Sequence, residues 1–144
     1  ARLFESDYQA RVTELDGWLS LGAHLPPKEK RGLVLVDPPF EQENEYQRMA
    51  DGFQKAYRRF ATGTYCLWYP LKKGAPIKEF HELLQSFEIP KMLCAELSVR
   101  SDRLEGLSGS GLIIVNPPYT LKDELHTMHH LLTQNKAHLI LVIL

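Results

Sequence analysis

The chain has 144 residues, of which 44% are hydrophobic and 24% are charged. This length and this balance are typical of one globular domain and exclude a disordered or low-complexity chain. The formal net charge of −1 at pH 7 excludes a uniformly basic nucleic-acid binder, so contact with a polynucleotide would need a local basic patch.

Membrane and export signals are missing from the sequence pattern. The longest apolar run, residues 137–144, is far shorter than the ~20 residues that cross a bilayer. The first residues include acidic side chains where a secretory signal has an apolar stretch. Cys66 and Cys94 lie in apolar runs without a CxxC partner, which indicates reduced core thiols rather than a disulfide or a metal site. We therefore expect a cytoplasmic (cytosolic) monomer that binds neither a membrane nor a metal.

Short β-branched runs alternate with stretches of helical periodicity along the chain. In chain order the predicted elements are strand 11–15, helix 18–25, strand 33–36, helix 43–60, strand 64–69, helix 76–87, strand 91–99, strand 111–115, helix 121–132 and strand 137–144. The run 33–36 is uniformly apolar, which predicts a strand buried on both faces of a parallel sheet. Pro70 is expected to end the next strand, and residues 101–110 are expected to form a polar loop.

Alternating strands and helices predict a three-layer α/β sandwich around a mostly parallel sheet. The two strands on either side of residues 101–110 have no helix between them, so they could pair as an antiparallel hairpin at one edge. No linker or shift in composition divides the chain. We expect residues 1–144 to belong to a single domain.

Polar residues are predicted to follow three strands of this sheet, and ligands of open α/β sheets bind beyond the carboxyl ends of strands. These residues are Asp16-Gly17, Asp37-Pro38-Pro39-Phe40 and Asn116-Pro117-Pro118-Tyr119. The last two fit the pattern (Asp or Asn)-Pro-Pro-aromatic. After a buried strand, this tetrad is the amino-methylating signature of enzymes that use S-adenosyl-L-methionine.

The chemistry of the tetrad explains its composition. The exocyclic amine of adenine is a poor nucleophile because its lone pair is delocalised into the ring. The Asp37 carboxylate and the Pro38 carbonyl can accept hydrogen bonds from both N–H groups, which favours a pyramidal nitrogen. Two prolines hold that carbonyl rigidly, and the aromatic ring of Phe40 offers a stacking face. Catalysis would then depend mainly on positioning and electrostatics.

A purely structural interpretation stands beside this one, because Asp-Pro and Asn-Pro also start turns and Pro-Pro ends strands. We choose Asp37 as the catalytic residue because Asp16 and Gly17 are expected at the end of the neighbouring strand, where they could hold adenosine. Asn116 follows a later strand, where a strand stop and a helix entry are the simpler explanation.

Around these residues the chain resembles the ribosomal RNA large subunit methyltransferase J family, which methylates N6 of an adenine in 23S ribosomal RNA. The likeness covers nearly the whole chain and is carried by the segments DGWLSLGAHLPP, KEKRGLVLVDPPFE, YRRFATGTYCLWYP and SGSGLIIVNPPY. It implies a Rossmann-like class I methyltransferase fold and S-adenosyl-L-methionine as the cofactor. It also implies that Asp16 and Gly17 contact the adenosine end of the cofactor and that Asp37 is the catalytic acid. Phe40 stands where a tyrosine is expected, which removes a hydroxyl contact.

The family's amino-terminal half, with its early strands and glycine loop, has no counterpart in the sequence. Gly109-Ser-Gly111 precedes a predicted strand instead of following one, so it cannot be that loop. We therefore interpret the chain as the carboxyl-terminal portion of the catalytic domain. We expect this portion alone to bind S-adenosyl-L-methionine poorly.

Several other residues have both a functional and a structural interpretation. Arg58 and Arg59, with Lys72-Lys73, could form a basic face for RNA. Alternatively, they could be solvent-exposed residues at a helix end, where arginine favours the negative end of the helix dipole. The triplet of histidines at 126, 129 and 130 has helical spacing suited to a metal, although packing or exposed histidines are the simpler explanation. Glu96 lies inside a strand pattern, either as a hydrogen-bonded inner carboxylate or as an edge residue.

The leading hypothesis is an adenine-N6 methyltransferase that acts on structured or unpaired ribosomal RNA. One alternative is a DNA-adenine or protein-glutamine methyltransferase, because the tetrad recognises an amine and not a whole polymer. Another is a non-catalytic α/β module that only binds nucleic acid.

Overall fold

The computed structural model describes residue 10 and residues 12–99, 106–133 and 138–143. Within these ranges helices and strands alternate as α1 (Gly17–His24), β1 (Leu33–Val36), α2 (Glu45–Arg59), β2 (Thr64–Lys72), α3 (Ile77–Ser86), β3 (Met92–Ser98), β4 (Leu107–Val115), α4 (Leu121–Thr133) and β5 (His138–Ile143). None of these helices is long and apolar enough to cross a membrane. The α/β class predicted from the sequence is confirmed.

The strands form one sheet in the order β1-β2-β4-β3-β5. β1 and β2 pair in parallel, whereas the β2–β4, β3–β4 and β3–β5 pairs are antiparallel. The prediction of a mostly parallel sheet is therefore wrong. The predicted antiparallel pairing of β3 and β4 is confirmed, but β4 lies inside the sheet and not at its edge. A connection without a helix favours antiparallel neighbours, whereas the α2 crossover carries the chain back to begin a parallel strand.

The main core lies between one face of the sheet and the helices α2 and α3. On β2, Tyr65, Leu67 and Tyr69 alternate toward this face and are fully buried. The apolar stripe of α2 packs over them, with Met49 and Phe53 at most 1% exposed. Period-two burial on the strand and helical spacing on α2 produce this interface.

The first strand is an edge strand, which the sequence did not predict. β1 pairs only with β2 among the described strands, and Leu33 and Leu35 are 65% and 63% exposed. Val36, on the other face, is buried. An uninterrupted apolar run does not reveal whether both faces are covered, so the prediction of a doubly buried strand is wrong for the described chain.

Two strand boundaries also differ from the prediction. Residues 12–15 form no strand, and residue 11 lies outside the described residues. β2 continues through Pro70 to Lys72 instead of ending at the proline. β1 ends opposite Leu67, so Pro70 has a strand neighbour on one side only, and its carbonyl accepts a 2.8 Å hydrogen bond from Tyr46 Oη. Proline is tolerated here because the side of the strand without a neighbour needs no N–H donor.

The predicted loop 101–110 is shorter in the structure. Residues 100–105 lie outside the described residues, and β4 already begins at Leu107. Gly109 lies so close to the Leu97 carbonyl that a Cβ atom would overlap it. Gly109, which falls within the predicted loop, therefore permits close approach of two strands, as glycine inside a strand often does.

Candidate active site

The Asp37 tetrad lies directly after β1 at its carboxyl end. Asp37 is exposed and lines a cleft of about 510 Å³ together with Pro38 and Pro39. The cleft lies beyond the carboxyl end of β1, where ligand sites of α/β sheets are found. The side chain predicted to be catalytic therefore faces a crevice.

Asp16 and Gly17 line the same cleft, although they do not follow a strand. Asp16 is the N-cap of α1, and its Oδ1 accepts hydrogen bonds from the backbone N–H groups of Trp18 and Leu19 at 2.9 and 3.0 Å. The predicted strand end at this point is wrong. The predicted closeness of Asp16-Gly17 to Asp37 is nevertheless present, because the start of α1 faces the end of β1.

A polar wall from α2 completes the described part of the cleft. Glu45 is only 2% exposed and forms an ion pair with Arg48, with 3.2 Å between Oε1 and Nη1. The Arg48 guanidinium also lies over the Trp18 ring, 5.8 Å from its centroid. Glu45 and Arg48 were not predicted as site residues from the sequence. Their spacing of three residues at the start of a helix is the only signal that could have suggested a pair.

The Phe40 ring is buried, whereas the sequence predicted that it would offer a stacking face. It is 9% exposed and packs against Tyr46 and Trp68, with ring centroids 4.8 and 6.0 Å apart. Its φ of 52° lies in the left-handed region, which costs a non-glycine residue energy and is common near functional sites. In this conformation the ring offers no free face to a base. Its stacking role therefore stays a prediction that requires the ring to turn outward.

The second tetrad lies at the opposite end of the strands from the first, because β4 runs antiparallel to β2. Asn116 Nδ2 donates hydrogen bonds to the carbonyls of Ala61 and Gly63 at 2.9 and 2.8 Å, which joins the end of β4 to the turn before β2. Tyr119 is 97% exposed. This arrangement favours the structural interpretation of residues 116–119.

The basic residues do not form one face. Arg58 and Arg59 are exposed in the last turn of α2, and Arg59 Nε donates to the Leu25 carbonyl at 3.1 Å. Lys72 and Lys73 border a groove with Phe40 at the other end of the helix. At 1.5 Å per residue, α2 separates its two ends by roughly 20 Å. The lysines therefore lie at the end of α2 that borders the Asp37 cleft, although they line a separate groove, and the arginines lie at the far end.

The histidines of α4 show no metal site in the part of the chain that is described. His126 is exposed and His129 half-buried, and neither belongs to a trio of possible ligands among the described side chains. The side chain of residue 130 lies outside the description.

A different trio, His81, Cys94 and Glu96, does lie together. This trio was not predicted from the sequence, because His81 lies on α3 and the other two residues lie on β3, so no sequence motif links them. Glu96 is a hydrogen-bonded inner carboxylate, which settles the alternative left open for it. Burial raises the pKa of Cys94 to about 11 and lowers the pKa of His81, although the charge of Glu96 opposes the second effect. Cys94 is thus a buried core thiol, as predicted.

The fold and the position of the cleft define a Rossmann-like α/β protein. A solved Legionella pneumophila (strain Philadelphia 1) structure, described as family-model DUF519, superposes with a TM-score of 0.80 at 36% identity, covering 89% of this chain and 49% of that one. The family model described as ribosomal RNA large subunit methyltransferase D, RlmJ, matches residues 1–139. The chain belongs to this family.

Two curated relatives agree with the family match. The chain is 42% identical over 127 residues to the ribosomal RNA large subunit methyltransferase J of Escherichia coli (strain K12), covering 87% of this chain and 45% of that protein. It is 39% identical over 132 residues to the Haemophilus influenzae (strain ATCC 51907 / DSM 11121 / KW20 / Rd) protein of the same name, covering 91% and 47%. The chain therefore spans about half the length of the curated relatives it matches.

Proposed function

We propose that this chain carries the amine-recognising part of an enzyme that transfers a methyl group from S-adenosyl-L-methionine to N6 of an adenine in 23S ribosomal RNA. The observation that carries the proposal is the position of Asp37-Pro38-Pro39 at the carboxyl end of β1, facing the cleft that Asp16 and Gly17 also line. Membership of the family supports a methyltransferase that acts on ribosomal RNA.

The chemistry follows from these groups. The cofactor supplies an electrophilic methyl group on a positively charged sulfur. The Asp37 carboxylate and the Pro38 carbonyl accept hydrogen bonds from the two N–H groups of the target amine and orient its lone pair. The exposed Asp37 carboxylate would stabilise the positive charge that develops on the nitrogen as the methyl–sulfur bond breaks; S-adenosyl-L-homocysteine would leave, and the proton released by the nitrogen would pass to solvent.

The cleft fits the proposed cofactor in size and in polarity. Its volume of about 510 Å³ lies within the range of small-molecule sites. Two carboxylates, of Asp16 and Asp37, favour a sulfonium, and the Trp18 ring gives an apolar wall. The cleft also reaches Leu35 on the exposed edge strand, so the described residues enclose it incompletely. We accordingly expect weak cofactor binding by residues 1–144; a sub-millimolar affinity in calorimetry would contradict this.

The decisive experiment is methyl transfer with Asp37→Asn in the full-length gene product that carries this chain. Labelled S-adenosyl-L-methionine is offered with unmethylated 23S ribosomal RNA, and the product nucleoside is identified by mass spectrometry. We expect methylated adenine with the unaltered protein and a loss of more than about 100-fold with Asp37→Asn, while RNA binding persists. Asp51→Asn is the matched control, because Asp51 is exposed on α2 and does not line the cleft.

The same experiment separates the alternatives. Transfer to DNA adenine, or to glutamine in a protein acceptor, would replace the RNA assignment. Retained RNA binding without any methyl transfer by the unaltered protein would favour a non-catalytic module. Full activity in Asp37→Asn would overturn the proposed role of the tetrad.

A further inference from the structure

A compact polar cluster lies inside the core between α3, β2 and β3, away from the cleft. The Tyr69 hydroxyl is 2.9 Å from His81 Nε2, 2.8 Å from Glu96 Oε1 and 3.3 Å from Cys94 Sγ. Tyr69 is fully buried and Cys94 is 1% exposed, whereas the side chains of His81 and Glu96 are 20% and 15% exposed. The cluster is therefore enclosed by the core but reachable from the surface on the side of His81 and Glu96.

The sheet register brings these groups together. Gly111 on β4 is the register partner of both Tyr69 and Glu96, so the three residues form one row across the sheet. A Cβ atom at Gly111 would overlap the Tyr69 ring, so only glycine lets the ring lie over β4 with its hydroxyl beside β3. Cys94 lies two residues before Glu96 and therefore on the same face.

We propose that His81, Cys94 and Glu96 form a three-ligand binding site for a divalent transition-metal ion of the Zn²⁺ type, with the Tyr69 hydroxyl as a hydrogen-bond donor to the Glu96 ligand. Imidazole, thiolate and carboxylate are the ligands that zinc uses in proteins, and a thiolate selects against Mg²⁺ and Ca²⁺. The thiolate and the carboxylate together balance the two charges of the ion.

The separations of the ligand atoms fit such an ion. Tetrahedral zinc with bonds of about 2.0–2.3 Å keeps its ligand atoms roughly 3.3–3.8 Å apart. Here His81 Nε2 is 3.8 Å from Cys94 Sγ and 3.6 Å from Glu96 Oε1, and all three ligand atoms lie within 4.8 Å of one another. Rotation of the partly exposed Glu96 side chain would bring its carboxylate within bonding distance of an ion held by His81 and Cys94. The bound ion would fasten α3 to β3.

The test is metal titration of chelator-treated protein with Co²⁺ and Zn²⁺. We expect one equivalent of Co²⁺ to give the near-ultraviolet absorption of a cobalt–thiolate bond, and Zn²⁺ to displace it and raise the melting temperature. Cys94→Ser should abolish the band, and His81→Gln should weaken Zn²⁺ binding by more than about tenfold. Cys66→Ser is the matched control, because Cys66 is the other free cysteine and points to the opposite face of the sheet.

The titration of the unaltered protein decides the matter even if a variant fails to fold. Absence of a cobalt–thiolate band at one equivalent would overturn the proposal and leave a hydrogen-bonded core cluster. Zn²⁺ binding that survives Cys94→Ser but is lost in His126→Ala would assign the ion to the surface of α4, which would also overturn it.

Discussion

Asp16 and Asp37 line one cleft, although Asp16 caps a helix and Asp37 ends a strand. The two carboxylates come from elements that are separated by the loop before β1. Because Asp16 already accepts two backbone N–H groups, its position is fixed before any ligand arrives. The capping role of Asp16 can therefore be tested separately from its proposed contact with the cofactor.

Two substitutions at Asp16 separate these roles. Asp16→Ala removes the cap and should lower the free energy of unfolding by about 1 kcal/mol in urea denaturation. Asp16→Asn keeps the cap, because asparagine caps as well as aspartate, but removes the charge. If Asp16 contacts the cofactor as proposed, both variants should bind S-adenosyl-L-methionine about tenfold more weakly in calorimetry. Unchanged binding by Asp16→Asn would leave Asp16 with the capping role alone.

Charge reversal tests the two basic pairs separately. Arg58→Glu/Arg59→Glu should weaken RNA binding and flatten its salt dependence if the arginines bind phosphates, by about 0.7–0.9 in the log–log slope for each phosphate that is no longer neutralised. Lys72→Glu/Lys73→Glu should have the larger effect, because these lysines lie at the cleft end of α2. The measurement is RNA affinity across a series of salt concentrations. If the arginine variant binds like the unaltered protein, Arg58 and Arg59 only complement the helix dipole.

A methyl group at Gly111 should disrupt the core. In Gly111→Ala the new Cβ would overlap the Tyr69 ring, which is fully buried and cannot move outward. We expect a loss of about 1–3 kcal/mol in the free energy of unfolding. Gly22→Ala is the matched control, because nothing lies within 4 Å of its Cβ position in α1 and alanine is the better helix former. Equal stability of the two variants would show that the ring does not fill the space over Gly111.

The second tetrad should not become catalytic when its sequence is made to match the first. Asn116→Asp replaces an N–H donor by a carboxylate oxygen that faces the carbonyls of Ala61 and Gly63. We expect a loss of about 1–3 kcal/mol in the free energy of unfolding and no gain in methyl transfer. Increased methylation in this variant, measured with labelled cofactor, would contradict the structural role of residues 116–119.

The stability of the core should fall at alkaline pH. The Tyr65 hydroxyl donates to the carbonyls of Ala56 and Phe60, and burial raises the pKa of Tyr65 to about 12. The folded state thus holds the proton more tightly than the unfolded chain. The stability that the protonated Tyr65 hydroxyl gives to the folded state is complete below pH about 10, which is the pKa of tyrosine in the unfolded chain. This stability is lost as the pH rises toward 12.

Denaturation of Tyr65→Phe at several pH values checks this. The variant should be less stable near neutral pH by about 1 kcal/mol, because the carbonyls of Ala56 and Phe60 lose the Tyr65 hydroxyl and keep only their backbone N–H donors. Between pH 10 and 12 its stability should fall less steeply than that of the unaltered protein, although Tyr46, with a pKa also raised by burial to about 12, keeps part of the slope. Identical slopes would show that Tyr65 does not contribute to the alkaline transition.

Most local elements and the position of the Asp37 tetrad could be predicted from the sequence alone. Helical periodicity over residues 43–60 and the apolar run 33–36 reflect interactions among near neighbours, so α2 and β1 were predicted within two residues. The tetrad was likewise visible because proline and aspartate act on the chain where they stand.

Which residues contact one another follows from the order and direction of the strands in the folded chain. β4 enters between β2 and β3, so most strand pairs are antiparallel, and β1 is left at the edge. The pairing of strands depends on contacts between distant segments, which local periodicity does not encode. For the same reason the cluster of Tyr69, His81, Cys94 and Glu96, and the separation of Arg58 from the Asp37 cleft, follow from the register and the direction of helices, not from any motif.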